Sequence, residues 1–362
     1  MDVLTVKDTY NMLREKLQDV VPDVELQIKA EIAHEINRIK VERNAVILGH
    51  NYMEPALFHS IPDFVGDSLA LSRRAAETDK DIIVFCGVEF MAETAKILNP
   101  EKTVLVPSDN AGCSLASSIT AEDVRNLKAK YPGVPVVTYI NTYADVKAEC
   151  DISCTSGNAV KVVESLGTDT IIFIPDEYLA KNVAAETGKN IIIPSLSGNG
   201  HSNGHSNGNG SSNGSSTVSD IDFDFIGWHG RCEVHDQFTV QDINNVRLQF
   251  PDVEILAHPE CSPEVVAASD YSGSTTAMMR HVAESNAARY LLLTECSMAD
   301  NIVADNPDKE MLGLCSVRCP HMNQITMEDT LNALRHNQYE VDVPEDIRLR
   351  AAKSVERMIA IG

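Results

Sequence analysis

The chain has 362 residues, 43% of them apolar, and a formal net charge of −23. That length predicts two or three domains, and the apolar fraction is sufficient for ordinary hydrophobic cores. The strong negative charge provides no basic track for a phosphate backbone, which argues against a nucleic-acid-binding protein. A small anionic substrate would therefore need favourable groups within its own site.

No apolar stretch approaches the roughly 20 residues that a membrane span requires. The first residues, MDVLTVKDTYNMLREKLQDV, form a charged amphipathic segment that is unlike a signal peptide. The nine cysteines, an odd number, fit a reducing compartment, where thiols serve metals or catalysis more often than disulfides. We expect a cytoplasmic protein without a membrane partner.

Short runs rich in Val and Ile alternate with helical patterns along most of the chain. In chain order, the runs are NAVILGH, DIIVFCG, KTVLVPS, VPVVTYIN, DTIIFIP, KNIIIPS, VEILAHPE and RYLLLTE. Segments with helical spacing and capping residues, such as DSLALSRRAAETD and AEDVRNLKAKYPG, lie between them. This alternation predicts an α/β fold in which helices cover both faces of parallel sheets.

Ligands of parallel sheets bind beyond the carboxyl ends of the strands. Any strand end must become polar where it meets solvent, so a single polar residue there indicates little. Many reactive side chains at the same relative position favour shared clefts instead, and here they are His50, Cys86, Ser108, Asn141, His258 and Glu295.

The first candidates follow the first run. In LGHNYMEP, His50 can donate to a carboxylate and Tyr52 can pass a proton. In DFVGDSLALSRR, Asp67 and Ser68 open a helix, where a hydroxyl and free backbone N–H groups could hold an anion; a simple N-cap is the alternative. Phe90 and Met91, near a later turn, are expected in the core.

The middle of the chain offers a second group, in TYINTYADVKAECDISCTSGNAV. Tyr139 and Asn141 leave a strand there, and Ser156 precedes a helix. Hydroxyls and backbone amides in this arrangement suit recognition of carboxylate or phosphate. Cys150 and Cys154, four residues apart, are weak evidence for a metal site.

A third group lies in AHPECSPEVV and YSGSTTAMMRH. His258 and Glu260 are two residues apart on an extended segment, so their side chains face the same way and can act on one substrate. Ser274 and Thr275 precede a helix and form another candidate anion site.

Three cysteines stand in contexts that suit a metal: Cys113 in NAGCSLA, Cys232 in WHGRCEVHDQF and Cys319 in CSVRCPHMN. A cube of four irons normally takes four thiolates, so three would leave one iron open as a Lewis acid for substrate. The alternative is that each cysteine is a small buried apolar residue.

Ten segments together resemble the quinolinate synthase (NadA) family, from about residue 44 to the end of the chain. They are HNYMEP, DFVGDSLALSR, FCGVEFMAETAKIL, DNAGCSLA, TYINT, CTSGNAV, GRCEVHDQF, AHPE, GSTTAM and CPHMN, in the order of the family. The resemblance implies three similar α/β/α domains around a pseudo-threefold axis, with the active site at their interface. It also implies that iminoaspartate and dihydroxyacetone phosphate condense to quinolinate, phosphate and water in NAD biosynthesis.

The resemblance further implies that Cys113, Cys232 and Cys319 each give one ligand to a [4Fe–4S] cluster. Glu260 would move protons, and Tyr52 and His258 would assist. The carboxylates and phosphate of the substrates would be held by His50, Ser68, Tyr139, Asn141, Ser156, Ser274 and Thr275.

We expect the first domain at 1–125, with C-terminal helices at 327–362 packing on it, the second at 126–194 and the third at 220–326. The segment 195–219 is nearly all Gly, Ser and Asn, a composition that predicts a flexible surface insertion. It falls just before the motif of Cys232, where the family has a short connection.

Two other functions remain open. A zinc-dependent aldolase acting on dihydroxyacetone phosphate would use His50 and His258 as ligands. An iron–sulfur or metal-sensing module would use the thiols and the His-containing loop without catalysis. Apart from these alternatives, Cys319 is taken as the ligand, and Cys315 is a spare thiol or redox partner. An aspartate-oxidising enzyme that supplies iminoaspartate is an expected transient partner.

Overall fold

The computed structural model describes residues 3–168, 170–188, 191–192, 225–313 and 317–362. The strands are β1 Ala45–His50, β2 Phe64–Gly66, β3 Ile82–Cys86, β4 Thr103–Leu105, β5 Val136–Tyr139, β6 Ile152–Cys154, β7 Ile171–Ile174, β8 Ile191–Ile192, β9 Phe225–Gly227, β10 Glu254–Ala257, β11 Tyr271–Ser272, β12 Arg289–Leu293 and β13 Glu310–Leu312.

The helices are α1 Val6–Leu17, α2 Asp23–Glu42, α3 Pro55–Phe58, α4 Ser68–Glu77, α5 Glu89–Leu98, α6 Ala121–Lys130, α7 Ala144–Ala148, α8 Ala159–Ser165, α9 Glu177–Thr187, α10 Val240–Gln249, α11 Pro263–Ala268, α12 Thr275–Glu284, α13 Ser297–Asp305, α14 Met327–His336 and α15 Glu345–Ala360. No helix among the described residues is long and apolar enough to cross a membrane.

Three parallel sheets repeat one topology. Their strand orders are β2-β1-β3-β4, β6-β5-β7-β9-β8 and β11-β10-β12-β13. In each sheet, the second strand in chain order lies at the edge beside the first strand. The later strands lie on the opposite side of the first strand, and the second sheet has one extra strand, β8. The predicted α/β fold with three similar units is confirmed, because the Val- and Ile-rich runs became buried strands covered by helices.

In each sheet, an aspartate side chain accepts a hydrogen bond from the backbone of the central strand at an equivalent position. Asp63 Oδ2 accepts from the backbone N–H of Ile47 on β1, Asp151 Oδ2 from Val136 on β5, and Asp270 Oδ2 from Ile255 on β10, each at 2.8 Å.

These bonds define equivalent positions in the three sheets. In each case the aspartate ends the connection between the central strand and its edge neighbour, so its carboxylate fixes where that connection turns back. Residues counted from Ile47, Val136 and Ile255 can therefore be compared directly.

Two boundaries differ from the expected ones. Strand β9 pairs with β7 in the second sheet, although Phe225–Gly227 lies within the segment that we assigned to the third domain. Helix α15 joins the first and second units, because Ser354 Oγ lies 2.8 Å from Ser153 Oγ on β6 while Arg73 of α4 donates to the carbonyl of Ile359. The insertion at 195–219 lies outside the described residues.

Candidate active site

One cavity lies where the carboxyl ends of the three sheets meet. Counting three residues on from the equivalent positions gives His50, Tyr139 and His258, and counting five gives Tyr52, Asn141 and Glu260. All six side chains line this cavity. The predicted clustering of strand-end residues is therefore found, and it follows from the shared register of the central strands.

The edge strands add one hydroxyl from each unit. Gly66 pairs with His50 and Cys154 with Tyr139, and Ser68 and Ser156 lie two residues after these partners. In the third sheet, Ser272 pairs with Ala257, which places Thr275 at the same position. All three hydroxyl residues line the cavity.

Ser274 lies differently from the other twelve candidate residues. Its hydroxyl donates to Asp67 Oδ2 at 2.9 Å and accepts from the backbone N–H of Ala277, which caps α12. The residues that line the cavity include Thr275 but not Ser274. Ser274 thus ties the first unit to the third beside the cavity, and Asn51 orients Thr275 by donating to its Oγ1 at 2.9 Å.

Cys113, Cys232 and Cys319 occupy three copies of one loop. Each stands three residues before a short 3₁₀ helix, at Ala116–Ser118, His235–Gln237 and Met322–Gln324 respectively. In each loop the cysteine carbonyl accepts from the backbone N–H four residues later, at 3.0–3.1 Å. A threonine seven residues after each cysteine then caps the next helix by accepting from an aspartate N–H, and these threonines are Thr120, Thr239 and Thr326.

All three cysteines line the cavity. Burial raises the pKa of Cys113 to about 12 and that of Cys319 to about 11, and it raises the pKa of Cys232 well above its usual range. Each sulfur also accepts backbone N–H groups from the residues two and three positions later, which favours the thiolate. Three such sulfurs around one cavity fit a metal group that supplies the positive charge.

Glu260 is the centre of a buried network. Its Oε2 lies 2.6 Å from His235 Nδ1 and 3.4 Å from His258 Nδ1, and Asn141 Nδ2 donates to its Oε1 at 3.4 Å. Burial, the largest single influence, would raise the pKa of Glu260, but the neighbouring His235, His258 and Tyr139 together outweigh burial and lower it. The side chain is therefore a carboxylate placed to accept a proton.

His50 and His258 are neutral near pH 7. Burial lowers the pKa of His50 to about 4 and that of His258 to about 3. Burial also raises the pKa values of Tyr52 and Tyr139 well above their usual range, so both phenols keep their protons. These groups are hydrogen-bond donors and acceptors rather than fixed charges.

The sequence analysis missed two residues of this network, His235 and Thr294. His235 follows Cys232 by three residues and was present in the quoted motif GRCEVHDQF, where its position beside a candidate ligand was the available signal. Thr294 follows β12 directly and contacts both Tyr52 and His235. In the sequence, the available indication of Thr294 was its position directly after an apolar run.

Other strand-end residues do not reach the cavity. Cys86 packs beside Thr330, Ser108 accepts from the backbone N–H of Asn110, and Glu295 accepts from the backbone N–H of Ser297 at the start of α13. In contrast, Phe90 and Met91, which were expected to be core residues only, are buried and also line the cavity.

The remaining thiols give no second metal site within the described ranges. Cys150 and Cys154 are both buried but belong to separate clusters of apolar side chains, and Cys315 lies outside the described residues. One group of three side chains could hold a single ion: Cys232, His235 and Glu260, with ligand atoms within 4.8 Å of one another. Such an ion would have to come between His235 Nδ1 and Glu260 Oε2, which lie 2.6 Å apart.

Comparison with known proteins agrees with this arrangement. The family described as "Quinolinate synthetase A protein" matches residues 34–360. Quinolinate synthase from Caulobacter vibrioides is 49% identical over 349 residues, which cover 95% of this chain and 86% of the relative. Quinolinate synthase from Xylella fastidiosa is 51% identical over 326 residues, covering 90% and 86%. Quinolinate synthase 2 from Mesorhizobium japonicum is 47% identical over 357 residues, covering 99% of each. The chain therefore belongs to the quinolinate synthetase A family.

Proposed function

We propose that this protein is a quinolinate synthase that condenses iminoaspartate with dihydroxyacetone phosphate, releasing phosphate and water. The observation that carries the proposal is the cavity itself, which is lined by the cysteines of three equivalent loops and by polar residues from the ends of three equivalent sheets. A reaction that joins two substrates and closes a ring needs both anionic ends held while protons move between them.

Cys113, Cys232 and Cys319 would hold a [4Fe–4S] cluster. Of the cavity-lining residues in the described ranges, only these three are cysteines, which matches a cluster with one iron left without a protein thiolate. When bound, the cluster supplies a Lewis acid that polarises a substrate oxygen. The zinc alternative would use His50 and His258, and neither belongs to the three-ligand group found among the described residues, Cys232, His235 and Glu260.

The substrates are anions, yet no Lys or Arg lines the cavity within the described part of the chain. Carboxylates and phosphate would therefore be held by neutral donors: the hydroxyls of Ser68, Ser156 and Thr275, the amide of Asn141, the phenol of Tyr139 and the imidazole of His50. Free backbone N–H groups at the start of α4 and α12 add to these donors. Neutral donors suit a site that must also release a charged product.

Proton transfer would fall to Glu260, His258 and Tyr52. Before the reaction, Glu260 is ionised and Tyr52 is protonated. Glu260 would therefore act as the base and Tyr52 as the acid. His258 lies 3.4 Å from Glu260, and its ring stacks on His235 with centroids 4.5 Å apart. Both imidazoles therefore lie beside the carboxylate of Glu260 and help to hold its orientation.

The decisive experiment is quinolinate formation by anaerobically purified protein given iminoaspartate and dihydroxyacetone phosphate. A Cys113→Ala variant should lose both the brown cluster and the product, whereas a Cys150→Ala variant should keep both, because Cys150 lies in a separate apolar cluster. An iron-loaded wild-type protein that makes no quinolinate would refute the proposal. Cleavage of an aldol substrate by zinc-loaded Cys113→Ala, without quinolinate, would favour the aldolase instead, because its expected ligands are His50 and His258.

We also propose that the enzyme acts in the cytoplasm and receives iminoaspartate from an aspartate-oxidising enzyme. Iminoaspartate is unstable, so a nearby source would limit its loss. If flux to quinolinate is unchanged when a membrane permeable only to small molecules separates the two proteins, direct transfer is excluded.

A further inference from the structure

Lys147 is a buried cation that the proposed reaction does not use. It lies on α7 with none of its surface exposed, and its ammonium donates to the carbonyl oxygen of Thr142. Lysine is almost never fully buried unless it is paired. The other buried lysine of the described residues, Lys29, forms ion pairs with Glu54 and Glu328. Within the described ranges Lys147 forms no ion pair of this kind, so its burial has another reason.

Glu93 of α5 is the acidic side chain that most favours the charge of Lys147. Its Oε2 accepts the backbone N–H of Ala144, at the start of α7, at 2.9 Å. Burial raises the pKa of Glu93 to about 7, and burial lowers the pKa of Lys147 to about 8. Lys147 is therefore mostly an ammonium at pH 7, and Glu93 neutralises only part of its charge.

The ammonium lies behind the wall of the cavity. Lys147 Nζ lies 5.5 Å from the ring centroid of Phe90, which lines the cavity, whereas Lys147 does not. The charge of a Cys113 thiolate also favours the ammonium, so the two side chains lie within electrostatic range. Tyr143, just before α7, packs on the same cysteine loop, with its Oη 3.5 Å from Ser117 Oγ. The second unit thus brings a positive charge to the cysteine loop of the first.

The corresponding positions in the other two units are apolar. The helices α3, α7 and α11 each begin eight residues after the equivalent position of the central strand. Counting three residues further gives Phe58 in the first unit, Lys147 in the second and Val266 in the third. The shared scaffold therefore accepts an apolar side chain here and does not require a cation.

The cavity that Lys147 adjoins would be rich in negative charge. Under the proposed function it holds three thiolates, the carboxylate of Glu260 and two anionic substrates. Three thiolates outweigh the charge of an oxidised [4Fe–4S] core, so the bound cluster would itself be a net anion. Negative charge in a buried site is costly unless a positive charge opposes it, and no Lys or Arg lines the cavity among the described residues.

We propose that Lys147 supplies the positive charge of this site, stabilising the cluster and the bound anions from behind Phe90. Since it does not line the cavity, it is a positioning residue that acts through its electric field. This inference rests on the proposed function, which provides the cluster and the anionic substrates.

The test compares Lys147→Met, which removes the charge and keeps a long apolar stem, with Lys29→Met as the matched control. We expect Lys147→Met to shift the reduction potential of the cluster to a more negative value, because net charge helps to set that potential. The dissociation constant for quinolinate should rise about threefold to tenfold. Lys29→Met also removes a buried lysine, but one on α2 that is already paired, and it should change neither quantity. Anaerobic redox titration and quinolinate titration measure the two effects.

Glu93→Gln should give shifts of the opposite sign. It removes a negative charge beside Lys147, and its amide oxygen can still accept from Ala144 N–H. We expect a less negative potential and tighter quinolinate binding, both by smaller amounts because Glu93 is partly protonated at pH 7. The double variant Lys147→Met/Glu93→Gln should lie between the two single variants.

A purely structural role for the pair predicts a different result, in which both single variants lose iron or weaken quinolinate binding. Shifts of the same sign, or a wild-type potential and affinity in Lys147→Met, would overturn the proposal. If Lys147→Met does not retain its cluster, the sign of the Glu93→Gln shift decides. A wild-type protein that holds the cluster but makes no quinolinate would refute the proposed function, while the two potential shifts would still test the charge of Lys147.

Discussion

The first and third sheets place side chains at equivalent positions but with different chemistry. Three and five residues after Ile47, the first sheet carries His50 and Tyr52. Three and five residues after Ile255, the third sheet carries His258 and Glu260. In contrast, the cysteine loops that follow the two sheets share their sequence spacing, and in both the cysteine carbonyl accepts from the backbone N–H four residues later. On the proposed function, the repeated scaffold would supply three equal ligands, while side-chain differences at matching positions would supply the acid and the base.

Loss of any one cysteine should have the largest effect, and it should be equal across the three loops. We expect Cys113→Ser, Cys232→Ser and Cys319→Ser each to abolish quinolinate formation and to lower iron content sharply, because each removes one of three protein ligands. Iron analysis and visible absorption check this prediction. A variant with full iron and activity would show that its loop does not belong to the ligand set.

Glu260→Gln tests whether the carboxylate at this position of the third sheet is needed for the reaction. It puts an amide where the second sheet already has Asn141, and it keeps the size of the side chain. We expect kcat to fall by about 10²- to 10⁴-fold, the usual contribution of a general base, while iron content is unchanged. Steady-state kinetics with iron analysis would decide, and a loss below threefold would contradict a role as base.

The neutral state of His50 predicts a pH effect on stability. Its pKa in the folded protein is about 4 because of burial, whereas an unfolded histidine titrates near 6.5. The unfolded state therefore binds more protons between these values, so the free energy of unfolding should fall by at most about 3 kcal/mol from pH 7 to pH 4 on this account.

Anaerobic denaturant titrations at pH 7, 6 and 5 measure this effect. His50→Gln should reduce the pH dependence, because glutamine does not titrate in this range, while His258 keeps its own contribution. Equal slopes for the wild type and the variant would show that His50 is already protonated in the folded state.

Removing a threonine that caps the helix after a cysteine loop should have the smallest effect of these changes, and that effect should be on the free energy of unfolding. Thr239→Ala removes the side chain that accepts from Asp242 N–H and receives the reciprocal bond of the capping box. We expect a loss of about 1 kcal/mol in the free energy of unfolding, with similar values for Thr120→Ala and Thr326→Ala. Chemical denaturation checks this prediction, and a much larger loss in one variant would show that its loop is held differently.

Sequence reasoning identified most of the cavity because strand ends and helix starts are local features. His50, Asn141 and His258 follow apolar runs, and parallel strands bring such residues to one edge of the fold. The same rule also selected Cys86, Ser108 and Glu295, which contact neighbours in the core or cap a local turn. Their side chains point away from the cavity, and the direction of a side chain at a strand end depends on packing that no local pattern records.

A repeat in the sequence could have revealed more. Cysteine, threonine seven residues later and aspartate three after that recur at Cys113, Cys232 and Cys319, so the equivalence of the three loops was present in the spacing. The repeat also places His235 beside Cys232. Thr294 had only the weak signal of a strand end, since its partners come from 242 and 59 residues away.

The sequence alone thus determined the alternation of strands and helices, the three cysteine loops and the hydroxyls at helix starts, because each depends on residues close together in the chain. The tertiary structure decided which side chains meet. It joined Tyr52, Thr294, His235 and Glu260 into one network, turned Ser274 toward Asp67, and placed β9 in the second sheet. These contacts depend on how the sheets pack against one another, and the burial that follows from that packing sets the protonation of the site.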